Sequence, residues 1–171
     1  MIHSTIEIQP QFNMQTAAGK DDWRALTQPL PGRSEKSAAL AVSSDVLVLR
    51  EIAGAIRQCG LAVLVGFTVR QSRRILESQN VSLVVCDDRL IDGKYQDIIE
   101  AAKLQSKTPV IVVSPTADWP DYLKAIRAGA FDYIAYPPID GDLPRTIRNA
   151  LAQQQEDTSD AEDTAGTFFC L

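Results

Sequence analysis

Between residues 38 and 155 the chain alternates short apolar runs with stretches of helical period. AALAV (38–42) precedes Val46, Leu49, Ile52, Ala53 and Ile56, whose spacing predicts a strand followed by an amphipathic helix. Gly60 ends that helix, LAVLV (61–65) predicts a second strand, and VRQSRRILESQ predicts a short helix with Arg70, Arg73, Arg74 and Glu77 on its polar face. The cycle then repeats: SLVVC (82–86), a polar loop and the helix YQDIIEAAKL; PVIVV (109–113) and the helix DYLKAIRAG, closed by Gly129; FDYIA (131–135) and DLPRTIRNALAQQ. Five strand-helix units with near-continuous Val/Ile/Leu strands predict a doubly wound α/β domain, a five-stranded parallel sheet covered by helices on both faces. Ligands of such sheets sit outside the carboxyl ends of the strands, so the residues after strands one, three, four and five are where chemistry is expected.

The flanking segments differ in kind. Residues 1–37 are rich in Gln, Thr, Ser, Gly and Pro, and so are expected to form a disordered arm, with Trp23, Leu26 and Leu30 as its only anchors of note. Residues 156–171 read as an acidic disordered tail ending in the apolar Phe168-Phe169-Cys170-Leu171. Charge sharpens this division. The formal charge of −5 comes entirely from Glu156, Asp157, Asp160, Glu162 and Asp163, because 38–155 carries 13 basic and 13 acidic residues and 1–37 carries 4 of each. A neutral domain lacks the basic face that nucleic acid requires. No run approaches the length of a membrane span and the N-terminus lacks a signal-peptide pattern, so a cytoplasmic location is expected.

The reactive side chains exclude further classes. Cys59, Cys86 and Cys170 have no short C-x-x-C spacing and are expected to be free thiols. The one histidine, His3, lies in the arm, which leaves no positioned imidazole for nucleophilic catalysis; an enzyme is not expected. Ser43-Ser44-Asp45 after strand one also lacks the Gly-rich or hydroxyl-rich loop a flavodoxin-like cofactor site would use.

After strand three stands Cys86-Asp87-Asp88-Arg89-Leu90-Ile91-Asp92-Gly93; strand four ends at Ser114, and Arg127-Ala128-Gly129-Ala130-Phe131-Asp132-Tyr133 leads into strand five. In order and spacing these motifs resemble the receiver domain of bacterial response regulators over about 115 residues. The resemblance implies a (βα)5 sheet of strand order 2-1-3-4-5, with Asp87 as phosphoacceptor, Ser114 as switch hydroxyl and Tyr133 as switch aromatic. It also implies an acidic pair after strand one that holds Mg2+, and a lysine before a proline after strand five that pairs with the phosphoryl oxygens.

Both of these last features are missing. Ser43 and Ser44 occupy the acidic-pair positions, Asp45 is one residue late as a metal ligand beside Asp87, and Tyr136 occupies the lysine position. A phenol donates one hydrogen bond without charge, and neutral hydroxyls are poor ligands for a hard cation. Two functions follow. The chain is a single-domain receiver in a two-component phosphorelay, served by a histidine kinase through Asp87, or it is a pseudo-receiver that binds a signalling protein or a second copy of itself without phosphorylation. In the second case the face of helix four, strand five and helix five would carry the contact, with Trp119, Tyr133 and Tyr136. Structural roles compete at each position: Ser44 and Asp45 as caps of the first helix, Asp88 and Asp92 as solvated loop acids, Tyr133 as half-buried packing, and Trp119-Pro120 as a plain helix start.

Overall fold

The computed structural model describes residues 37–105, 108–139 and 141–163, with side chains as far as residue 154. Its elements are β1 (Ala38–Val42), α1 (Val46–Gln58), β2 (Ala62–Gly66), α2 (Val69–Ser78), β3 (Val81–Asp87), α3 (Tyr95–Gln105), β4 (Val110–Ser114), α4 (Trp119–Ala128), β5 (Asp132–Ala135) and α5 (Asp142–Asp163). Between β3 and α3, Arg89–Leu90 pairs antiparallel with Gly93–Lys94 as a short ribbon. The five strands form one parallel sheet in the order β2-β1-β3-β4-β5, as the pattern and the resemblance imply.

Alternation along the strands builds two cores. Ala39, Ala41, Leu83, Val85, Ile111 and Val113 face α1 and α5, meeting Leu49, Ile52, Ile56, Leu143 and Ile147. Their neighbours Leu40, Val42, Val84, Cys86, Val110 and Val112 face the other way, onto Leu76, Ile98, Ile99 and Ala125. Strands buried on both faces have no polar alternation to show, which is why they read as continuous apolar runs.

Local signals end the helices where physical chemistry requires. Asp45, Thr68 and Asp118 accept hydrogen bonds from Leu47 N, Gln71 N and Asp121 N at the starts of α1, α2 and α4. Gly129 closes α4 at φ 103°, in the left-handed region, and a side chain there would also collide with Lys103. The Tyr136-Pro137 peptide is cis.

Element ends differ from the periodicity at several strands and helices. β2 and β4 run to Gly66 and Ser114, one residue beyond their apolar runs, because ladder pairing with Val42 and Ala135 does not require an apolar side chain. α4 begins at Trp119 with Pro120 in its first turn, where a missing N–H costs nothing. α5 continues past Gln155 through 156–163, eight residues of the segment expected to be tail. That stretch has no Gly or Pro to stop a helix already under way. The arm with Trp23, Leu26 and Leu30, and the end Phe168 to Leu171, lie outside the described residues. No helix among the described residues is long and apolar enough to cross a membrane.

Candidate functional site

The carboxyl ends of β1, β3, β4 and β5 bring the singled-out residues together. Asp87, at the end of the central strand β3, is half-buried and accepts a hydrogen bond from Ser43 Oγ at 2.8 Å. Ser43 is fully buried, and its Oγ accepts in turn from Asp45 N at 3.0 Å. Ser44 does not cap α1. Its hydroxyl donates to Phe67 O at 3.0 Å and accepts from Ile91 N at 3.2 Å, stitching the loop after β1 to those after β2 and β3. Asp45 alone is the cap, with its carboxylate 2.7 Å from Leu47 N.

Asp88 is not the solvated loop acid that its position in a polar loop predicts. Its side chain is only 12% exposed and accepts from Ser114 Oγ at 2.8 Å, while its N–H donates to Val113 O. Asp87, the last residue of β3, is thus tied to the loop after β1, and Asp88, just beyond the strand, to the end of β4. Tyr133 is buried rather than half-buried, with 6% of its surface exposed. It lies edge-on to Tyr95 at 6.3 Å. Asp92 also has a structural task, accepting from Val69 N and Arg70 N at the start of α2. Against burial, which acts to raise it, these bonds hold the Asp92 carboxyl below the ordinary carboxylate range. Two consecutive Asp residues at the end of a buried strand, with hydroxyls on both neighbouring strands, was the signal that Asp88 would find a partner.

A cleft of about 300 Å3 opens beside Asp87, lined by Asp45, Asp88, Arg89, Val113 and Tyr136 among others. Burial raises the Tyr136 phenol, as do the charges of Glu51, Asp45 and Asp87, so the group at the lysine position is neutral at physiological pH. The Asp87 carboxyl is likewise raised, first by burial and then by Asp88, against the lowering effect of the Ser43 hydrogen bond. An acid raised in the fold lends stability below its unfolded pKa of about 3.9, and loses it as pH rises through the folded value. Asp87→Asn, which keeps an acceptor for Ser43 without the charge, is therefore expected to melt roughly 2–5 °C above the parent at pH 7 and level with it near pH 3. Thermal melts at the two pH values check this; a parent and variant that melt alike at pH 7 would show that Asp87 carries no penalty.

The donor set does not suit a hard divalent cation. Oxygen ligation of Mg2+ calls for carboxylates free to turn inward. Here Ser43 Oγ donates its proton to Asp87, Ser44 is spent on two backbone groups and the Asp45 carboxylate caps α1. Among the described residues no three His, Cys, Asp or Glu side chains converge as metal ligands. Cys86 is completely buried and its thiol is raised far above the usual range by burial and by Asp87 and Asp88. Cys59 and Cys86 are free thiols; Cys170 lies outside the described residues. Trp119 is 69% exposed and stacks on Tyr122 at 5.4 Å, its plane 11° from parallel.

No family model matches the chain. It is 28% identical over 120 residues to the KDP operon transcriptional regulatory protein KdpE of Escherichia coli, covering 70% of this chain and 53% of that protein. It is 30% identical over 105 residues to the acid tolerance regulatory protein ActR of Rhizobium meliloti, covering 61% and 54%. The chain thus spans about half the length of these curated relatives. Among solved structures, a CheY-like response regulator receiver domain protein from Methanospirillum hungatei superposes with a TM-score of 0.65 at 23% identity, over 72% of this chain and 99% of that one. With strand order and these likenesses in agreement, the chain has a CheY-like receiver-domain fold and is a receiver-type protein related to the response regulators.

Proposed function

We propose that this chain is a pseudo-receiver, a protein-binding module of two-component-type signalling that acts without phosphorylation. The observation that carries this reading is the occupation of the phosphorylation site by neutral groups: Ser43 and Ser44, whose hydroxyls are engaged by Asp87, Phe67 and Ile91, and Tyr136 in the Asp87 cleft. Attack of a carboxylate on phosphorus spreads negative charge over the transferring oxygens, and preorganised cations are the main means of stabilising it. Arg89, 80% exposed and 3.8 Å from Asp88, is the cation in an ion pair at this site and is too solvated to substitute.

The binding face in this reading is that of α4, β5 and α5, with the exposed Trp119 as its aromatic anchor. The partner is a signalling protein, a histidine kinase among them, or a second copy of the chain. The location follows the cytoplasmic expectation. A second reading, a phosphorelay receiver using Asp87, is favoured by one feature: Asp87 is only half-buried and lines an open cleft that a phosphodonor could enter.

Incubation with acetyl phosphate or phosphoramidate, with and without Mg2+, followed by intact mass measurement of the parent and Asp87→Ala, separates the two. The expected result is no phosphate adduct in either protein. A Mg2+-dependent adduct in the parent that disappears in Asp87→Ala would overturn the pseudo-receiver reading and establish Asp87 as a phosphoacceptor.

A further inference from the structure

The chain enters the sheet at the opposite end of the strands from Asp87, and a cavity opens near that entrance. Ser37 O accepts from Ala62 N, and the next residue, Ala38, pairs with Val81 of β3. Val81 O accepts in turn from Thr108 Oγ1 at 3.0 Å. Thr108 and Pro109, just before β4, line a cavity of about 320 Å3 together with Phe131, Ala150, Gln153 and Lys103. Phe131 and Ala150 are its covered side, while Gln153 of α5 and Lys103 of α3 are exposed at its rim. Lys103 lies across Gly129, where any side chain would collide with it, and donates to Ala128 O at 2.6 Å. That bond fixes a cation at the rim and uses one of its three N–H donors.

An apolar segment with an acidic flank would suit this cavity, and the residues just before Ser37 supply both. Trp23, Leu26 and Leu30 are the large apolar residues of 20–36, and Asp21-Asp22 stands directly before Trp23. We propose that residues 21–30 dock in this cavity as an intrachain strap, with Leu26 and Leu30 against Pro109 and Phe131 and the Asp21-Asp22 pair at Lys103. Reach is sufficient: the seven residues from Leu30 to Ser37 span roughly 23 Å when extended, against about 10 Å for the two strand spacings from β1 to β4. The tether also holds the segment at a roughly millimolar local concentration, so a modest gain from apolar burial seats it. Neither Asp87 nor its cleft takes part, and the strap does not depend on the pseudo-receiver reading.

Disulfide trapping in the full chain tests the strap. Leu30→Cys is combined with Gln153→Cys at the rim or with Gln58→Cys at the end of α1, in a Cys59→Ser, Cys170→Ser background that leaves only the buried Cys86. Gln58 is exposed and lies four residues before Ala62, which bonds with Ser37, so it too stands near the root of the arm. An arm with no seat would meet Gln58→Cys at least as readily as Gln153→Cys. The docked arm is expected to cross-link to Gln153→Cys about tenfold faster, as read by intact mass with and without reductant. Asp21→Lys with Asp22→Lys is expected to slow that trapping roughly threefold, the effect of one exposed ion pair, and adding Lys103→Glu to restore it. Gln58, Cys59, Lys103 and Gln153 are not buried, so the domain keeps its core in every variant. Equal trapping at Gln153→Cys and Gln58→Cys, or trapping indifferent to the charge reversals, would overturn the proposal. Mixing isotope-labelled with unlabelled chains identifies the remaining outcome: cross-links between copies would give the cavity to a second copy's arm and overturn the intrachain strap.

Discussion

Replacing Ser43 and Ser44 by Asp and Tyr136 by Lys in one protein is expected to produce a chain that takes a phosphoryl group from acetyl phosphate on Asp87 at least about a hundredfold faster than the parent, in the presence of Mg2+. The three positions are chosen by geometry. Ser43 is already in hydrogen-bonding contact with Asp87, Ser44 follows it at the end of β1, and Tyr136 lines the Asp87 cleft. Two added carboxylates would give a divalent cation the charge and oxygen ligands it needs, and the lysine would supply a point charge for the phosphoryl oxygens. The same variant should be less stable than the parent without a divalent ion. An aspartate at the fully buried Ser43 position stands against Asp87, and like charges that close resist joint ionisation. Its melting temperature is therefore expected to rise on adding Mg2+, while that of the parent does not move. Time courses of adduct mass with and without the cation, with Asp87→Ala in the same background as control, check both parts. A folded, cation-stabilised variant that stayed inert would show that the geometry of the 88–93 loop, and not missing charge, disables the site.

The second large effect concerns the core beneath the site. Ile111 is fully buried on β4, in the cluster that α1 and α5 cover, and shares that cluster with Leu83, Val85 and Val113. Ile111→Ala removes three carbons from a space whose walls are sheet and helix and cannot close. A loss of about 3 kcal/mol is expected, a large part of the roughly 5–15 kcal/mol that separates folded from unfolded domains. In urea this corresponds to a midpoint lower by roughly 1–3 M. A midpoint that did not move would mean that β4 is not packed between its neighbours as described. Ile111 is three residues from Ser114, so loosening it is also expected to loosen the hydroxyl that donates to Asp88.

The architecture was legible because a strand covered on both faces must be apolar at every position, and a helix laid on a sheet must be apolar every three or four. Ala39 to Val42 and Leu49 to Ile56 obey these rules without exception. Hydrogen-bond partners obey no such period. Whether Asp87 or Asp88 meets Ser114 depends on where β3 ends and how the chain turns beyond it, which residue type does not record. Asp92 is solvated, as its loop position predicts, but its bonds are not legible for a related reason: its partners, Val69 N and Arg70 N, are 22 or more residues away along the chain and belong to the backbone, which leaves no mark in composition. The extension of α5 through 156–163 was missed because acidic composition argues for solvation, yet solvated residues are also compatible with a helix that is already nucleated. The replacements at Ser43, Ser44 and Tyr136 were visible, since they concern residue type at positions the fold fixes. What the type could not tell was that the serines are bonded in place.

Side-chain ties across the sheet have a mechanical consequence. The ends of parallel strands usually fray, since the last residues have ladder bonds on one side only. Here β3 reaches sideways to both neighbours, through Asp87 to Ser43 and through Asp88 to Ser114, and β5 joins through Tyr136 N to Ser114 O at 2.7 Å. The termini of four strands thus form a crossbar, and none can open alone without breaking a bond to the next. Amide exchange at this edge would then follow a single cooperative opening, with a free energy close to that of the sheet itself. A loop surface built on such an edge is stiff where loop surfaces are ordinarily compliant.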